Sequence, residues 1–335
     1  VAASPDFARV LEQLRDDAHT FPARALYQFS DLDRQDLAAL EAVWPQVSVE
    51  RRRSVIQDLG EIAEANFEVR FDQVFRLALE DEDAEVRAAA IMNLWEEEEP
   101  DLIAPFLRLM QQDPGARVRA AAASALGRFV YLGEVEEIPE KQLRRIEDAL
   151  LATITGNDEL EVRRRALEAI SFSGRPEVPR LIEQAYHSPE QKLRVSAVFA
   201  MGRSADPSWG EHVIAEIENE DAEIRFEAVR AAGELELRDA VPALRRRLGD
   251  EDLQIHEAAI WSLGQVGGPD ARAALLDLLD ETEDEDEREY IEEALENLAF
   301  QDDMLNLPLL ELDEDDWREL DEPDDDVPPP RKRLN

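Results

Sequence analysis

The sequence predicts an all-α fold, an α-solenoid of about eight stacked helical hairpins. Three observations predict it. One fifteen-residue pattern recurs, as DEDAEVRAAAIMNLW (81–95), DPGARVRAAAASALG (113–127), NEDAEIRFEAVRAAG (219–233) and DEDLQIHEAAIWSLG (250–264). A second amphipathic segment precedes each copy, and no stretch sustains the apolar–polar alternation of a strand. The copies follow at steps of 35, 32, 44, 31, 31, 31 and 35 residues. A period of that length marks stacked supersecondary units, none of which can bury its apolar face alone.

Residues 1–47 come first. Ser4-Pro5-Asp6 has the form of a helix start, and SDLDRQDLAALEAVW (30–44) of another. This segment is expected to cap the open end of the array. Residues 48–300 carry the repeats. The apolar residue heading each copy, position 0, is Val86, Val118, Val162, Leu193, Ile224, Ile255 and Tyr290, after a degenerate first copy at Arg51. Position 4 is alanine in every later copy, and positions 5 and 8 are apolar, as in Ile91 and Leu94 or Ile260 and Leu263. Positions 0, 4, 5 and 8 form one stripe of a 3.6-residue helix. Glycine often follows at position 9 (Gly60, Gly127, Gly202, Gly233, Gly264) and reads as a helix stop.

Ahead of these helices, VPRLIEQAYHS (178–188), DAVPALRRRLG (239–249) and GPDARAALLDLLD (268–280) show the first helix of the hairpin. The 44-residue step inserts RFVYLGEVEEIPEKQ (128–142), read as a longer helix end followed by an acidic loop. Residues 301–335 are expected to be an acidic, Pro-containing flexible tail, because helical periodicity fades there and prolines interrupt it.

The chain is strongly acidic, with 79 Asp+Glu against 37 Lys+Arg and a net charge of −42. Such a surface repels phosphate, so no nucleic acid partner is expected, and a protein with a basic surface suits it better. No run reaches the length of a membrane span. The chain contains no cysteine, so disulfides, thiolate metal sites and a Cys nucleophile are excluded. No basic n-region with an apolar core opens the sequence, and the expected location is cytoplasmic. Phosphate-binding, nucleophile-elbow and HExxH motifs are missing, and no cofactor is expected.

Five residues before position 0 stand turn formers, among them Asp81, Asp113, Asn157, Ser188, Asn219, Asp250 and Glu285, and position 1 is Arg87, Arg119, Arg163, Arg194 or Arg225. Here the sequence resembles the HEAT-repeat family, particularly the short HEAT-like repeats of phycobilisome bilin lyases. The resemblance covers roughly residues 30–300. It implies a right-handed superhelix in which the turn aspartates Asp81, Asp113 and Asp250 and the helix arginines Arg87, Arg119, Arg163, Arg194 and Arg225 form a structural ladder. His256 replaces arginine in one copy and Ile291 in the last. His256-Glu257 is similar to the His-Glu pairs of deoxyhypusine hydroxylase, a HEAT-like enzyme. That chemistry needs several pairs around two irons. This chain has four histidines and one such pair, so His256 is read as a ladder variant and no metal is expected.

Positions 2 and 6 are expected to lie off the buried stripe, one turn apart on the concave side. Stacked, they place Val195, Phe199, Phe226 and Trp261 in a ribbon bordered by Arg164, Arg165 and Arg230. Large aromatics on an exposed face mark an interface centre. The expected function is a non-catalytic protein-binding scaffold or adaptor. The alternatives are a bilin lyase or lyase-like chaperone and, more remotely, a metal-dependent hydroxylase.

Overall fold

The computed structural model describes residues 3–306. Helix α1 (Pro5–Arg15) starts at an N-cap Ser4, whose hydroxyl accepts the Phe7 N–H, and a short α2 (Ala23–Leu26) follows. Phe7 meets Phe29 edge to face at 5.6 Å. Eight helical hairpins follow among the described residues. They are α3 (Arg34–Val43) with α4 (Val49–Ala65), α5 (Asp72–Ala78) with α6 (Ala84–Asn93), α7 (Ile103–Gln112) with α8 (Ala116–Glu134), and α9 (Glu140–Thr155) with α10 (Leu160–Ile170). Then come α11 (Val178–Tyr186) with α12 (Gln191–Arg203), α13 (Gly210–Glu216) with α14 (Ala222–Glu234), α15 (Val241–Arg247) with α16 (Leu253–Val266), and α17 (Gly268–Glu281) with α18 (Glu285–Asn306). The segment expected as a tail begins inside α18, and residues 307–335 lie outside the described residues.

The stripe at positions 0, 4, 5 and 8 is buried through the central units, as Val118, Ala122, Ala123 and Leu126 show in α8. The inserted stretch lengthens α8 to Glu134; Phe129, Val130 and Leu132 enter the core and Tyr131 stays exposed. Successive second helices, α4 through α18, pack on one another along the stack, while first helices of neighbouring units touch more sparsely.

The position-9 glycines are not helix stops. Helices run past all five, and in α8, α12, α14 and α16 the glycine faces the backbone of the next second helix. A Cβ on Gly127 would sit 3.1 Å from the Ala169 Cα, on Gly202 2.8 Å from the Ala231 Cα, and on Gly233 2.8 Å from the Ser262 Cα. The real stops come later: α16 ends at Gly267, with φ 75°, but α8, α12 and α14 end at residues that are not glycine. Glu136, Ala205 and Glu236 take left-handed φ values of 63°, 52° and 50°. Behind Glu136 and Glu236 the N–H of the following residue, Glu137 or Leu237, returns to the carbonyl of Leu132 or Ala232, the six-to-one bond of a Schellman motif. Gly233→Val is therefore expected to destabilise the fold by about 1–3 kcal/mol through overpacking. Glu236→Gly, which relieves a left-handed L-residue, is expected to gain a few tenths of a kcal/mol. Urea midpoints read both, and a tolerated Gly233→Val would contradict the close-approach role.

The turn residues stand just outside the helix caps. The N-caps of α6, α14 and α16 are Asp83, Asp221 and Asp252. Asp81, Asn219 and Asp250 stand two residues earlier and accept the backbone N–H of those caps at 2.8, 2.8 and 3.1 Å.

Candidate protein-binding surface

One edge of the stack, where first helix turns into second, carries a series of cross-unit ion pairs. Arg87 donates to both oxygens of Asp113 at 2.7 and 2.8 Å and to the Asp81 carbonyl of its own turn at 2.6 Å. Arg225 pairs with Asp250 at 3.0 Å and with its own Asn219 carbonyl at 2.7 Å. Arg119 also reaches across, but to Asp158, at 2.6 Å, and not to Asn157. Its carboxylate partner lies well below the usual carboxylate range, because Arg119 hydrogen-bonds it. His256 bridges the Leu248 carbonyl and Glu287, each at 2.7 Å. Arg163 and Arg194 bond only carbonyls, Ile154 for the first and Ser188 and Pro189 for the second.

Two further rungs stand at the ends of the array. Arg52, one residue past the degenerate head Arg51, is only 2% exposed and lies 3.0 Å from Asp81. That Nε contact is an ion pair without hydrogen-bond alignment. The hydrogen bonds of Arg52 go to the Val47 carbonyl at 2.9 Å and Glu82 at 2.8 Å. In the last unit the arginine slot holds Arg288, which bonds the Thr282 carbonyl at 3.2 Å, so Ile291 is not its replacement. Ile291 is buried at position 4 instead, Glu287 stands at position 0, and Thr282 takes the turn place assigned to Glu285.

The expected ribbon also changes composition. Arg164 and Val195 are buried, not exposed. Arg164 donates to the Lys192 carbonyl at 2.9 Å and the Ser196 hydroxyl at 3.0 Å, tying α10 to α12. Position 2 faces the neighbouring helix because the second helices pack so closely. Phe226 is half-buried against the core. The surface of the second-helix row is instead built from positions 6 and 10. Position 6 supplies Phe199, Arg230 and Trp261, and position 10 supplies Arg128, Phe172, Arg203 and Glu234.

These side chains interleave along the stack. The Arg128 guanidinium lies 5.9 Å from the centre of the Tyr131 ring, and Tyr131 meets Phe172 edge to face at 5.5 Å. Arg203 stands over Phe172 at 5.8 Å and over Phe199 at 5.4 Å, and Arg230 over Trp261 at 5.5 Å. Arg203 and Arg230 share one oxygen of Glu234, at 3.3 and 3.5 Å. Arg165 reaches Glu161 at 2.8 Å and Glu168 at 2.7 Å. Each arginine is thus fixed by a ring, a carboxylate or both, and cation–π contact of this kind contributes about 0.5–2 kcal/mol depending on exposure. Glu227 lies among them, and burial pushes its carboxyl up to about 7. Burial raises Glu234 as well, against the pull of Arg203 and Arg230.

Stacked hairpins, a closely packed second-helix row and an arginine-edged turn series define an α-solenoid protein. The model of the HEAT-repeat family matches residues 72–140 and 210–296 of the chain. No curated protein sequence matches it. Among solved structures it is similar to the complex of CpcE and CpcF of phycocyanin lyase from Nostoc sp., with 17% identity and a TM-score of 0.51 over 84% of this chain and 97% of that one. Yeast importin-beta (Kap95p) matches at 15% identity and a TM-score of 0.48, over 89% of this chain and 46% of that one. Human deoxyhypusine hydroxylase in complex with glycerol matches at 17% identity and a TM-score of 0.35, over 88% and 96%. At these identities the likeness is one of fold. No helix among the described residues is long and apolar enough to cross a membrane.

Proposed function

We propose that the chain is a non-catalytic scaffold or adaptor that binds another protein along its second-helix row, from α8 to α16. The observation that supports this is the interleaved series Arg128, Tyr131, Phe172, Arg203, Phe199, Arg230 and Trp261. Aromatic and arginine side chains dominate the energetic centres of interfaces. Here their rotamers are already fixed by contact with one another, so binding costs little ordering entropy. The net charge of −42 favours and steers a partner with a basic surface. Trp261 has the largest ring of the series.

The test is affinity capture from extract of the native cell, with the wild type beside Phe199→Ala/Trp261→Ala, at low and high salt. The expected result is one dominant partner whose affinity falls roughly 30-fold or more in the double variant, equivalent to about 2 kcal/mol. A melting curve for each protein separates lost contact from lost fold. Equal recovery by both proteins would place the binding surface elsewhere. A phycobiliprotein as the captured partner would replace the scaffold reading with the lyase one.

A further inference from the structure

The turn residue before α6, α8 and α16 does two separate jobs. Its side chain accepts the backbone N–H of the residue two ahead, and its carboxylate also takes the arginine of the preceding unit. Ser188 and Asn219 keep the first job: Ser188 accepts the Glu190 N–H at 3.1 Å and Asn219 the Asp221 N–H at 2.8 Å. They have no charge for the second. In consequence Arg163 and Arg194, on adjacent units in the middle of the array, are left without a carboxylate. Arg163 donates through Nε to Ile154 at 3.0 Å, and Arg194 through Nη1 to the Ser188 and Pro189 carbonyls at 3.0 and 3.1 Å. Neither makes an ion pair among the described residues, whereas Arg52, Arg87, Arg119, Arg225 and His256 all do. No unit follows Arg288 among the described residues. A chain with 79 acidic residues therefore leaves two neighbouring rungs of one ladder without an acid among the described residues.

We propose that Arg163 and Arg194 form a two-guanidinium site for carboxylates, and that the acidic segment at residues 313–326 of the same chain fills it. That segment, DEDDWRELDEPDDD, has ten acids and one base. Spacing fits: neighbouring helices stand about 8–10 Å apart, and carboxylates three residues apart on a polyproline II chain lie on the same side, separated by about 9 Å. Reach fits as well. The site lies three to four units back from α18, roughly 30–40 Å, and on the turn edge, about 30 Å from the far end of the 22-residue α18 where the segment departs; the straight distance is roughly 45–50 Å, and the twenty residues from 307 to 326 extend to about 70 Å. The tether selects this occupant over a free acidic chain. A free chain approaches against a net charge of −42, whereas a tethered segment is present at an effective concentration of millimolar order.

Because the chain has no cysteine, Glu190→Cys and Glu319→Cys can be spin-labelled without further change, and the distance between the labels measured by pulsed electron resonance on the full chain. The expected result is a short-distance population at low salt that falls severalfold in Arg163→Gln/Arg194→Gln. It should fall equally in Ser188→Asp/Asn219→Asp, which gives both rungs the carboxylate that Arg87 and Arg225 already have. The melting temperature of that second variant should hold or rise, so release of the segment there is not unfolding. A short-distance population absent from the parent, or unchanged in Ser188→Asp/Asn219→Asp, overturns the proposal.

Discussion

Arg52→Ala is expected to destabilise the protein by about 3–5 kcal/mol, the range found when one partner of a buried ion pair is removed. Arg52 and Asp81 are the most enclosed pair along the turn edge, with side chains 2% and 1% exposed. The truncation leaves Asp81 charged and cut off from water, held by the Trp44 indole N–H at 2.6 Å and by the Asp83 N–H at 2.8 Å. It also orphans the Val47 carbonyl, which Arg52 satisfies at 2.9 Å. The next residue, Arg53, also pairs across the units, with Asp83 at 2.6 Å, but from a half-exposed position. Arg53→Ala should leave the urea midpoint close to wild type, since surface pairs contribute little. A small effect of Arg52→Ala would mean that water enters beside Asp81. Adding Asp81→Asn to Arg52→Ala should restore part of the loss by removing the uncompensated charge.

The second large effect depends on pH. Burial holds Glu227 protonated up to about 7, Glu168 and Glu234 adding to the shift and Arg230 and Arg203 opposing it, whereas the unfolded chain ionises this carboxyl near 4.5. Between those two values the folded state binds the extra proton, so stability falls as pH rises across that window. At about 1.4 kcal/mol per pKa unit the loss amounts to roughly 3 kcal/mol once pH passes 7. Glu227→Gln mimics the protonated form. Its stability should match the wild type below pH 4.5 and exceed it by roughly 3 kcal/mol above neutrality. Urea melts across the range check this, and parallel curves for the two proteins would refute it. Because Glu227 sits beside Arg203 and Arg230, its ionisation also adds a negative charge to the surface proposed to bind a basic partner.

The stripe of the repeat was legible because burial imposes it: a residue facing the core must be apolar, so Val118, Ala122, Ala123 and Leu126 recur as a pattern. What failed was any signal with two physical causes. Glycine ends a helix and also lets helix backbones touch, and here Gly127, Gly202 and Gly233 do the latter. Position 0 is polar at both ends of the array, but the register shifted only in the last unit: Arg51 keeps Arg52, Val55, Ile56 and Leu59 at positions 1, 4, 5 and 8, whereas Glu287 replaces Tyr290 as the head. Arg51 there donates to the Asp16 and His19 carbonyls of the N-terminal segment, at 3.1 and 2.6 Å. Glu287 there binds His256. The surface arginines and rings at position 10 escaped notice because the recurring fifteen residues end one residue before it. Val195 and Arg164 were taken as exposed because a helical wheel shows which face a residue occupies but not how near the neighbouring helix stands.

That nearness sets how the molecule deforms. A Cβ-width gap does not exist between the backbones at Gly202 and Ala231 or at Gly233 and Ser262, so the second-helix row cannot be compressed along the stack. The first helices, more sparsely joined, can spread or close. The array therefore behaves as a leaf spring whose stiff ply is the second-helix row. Thermal bending fans the first helices while spacing along the aromatic row stays nearly constant. A partner gripping that row meets a ruler of fixed pitch, and strain delivered from outside is absorbed on the opposite side.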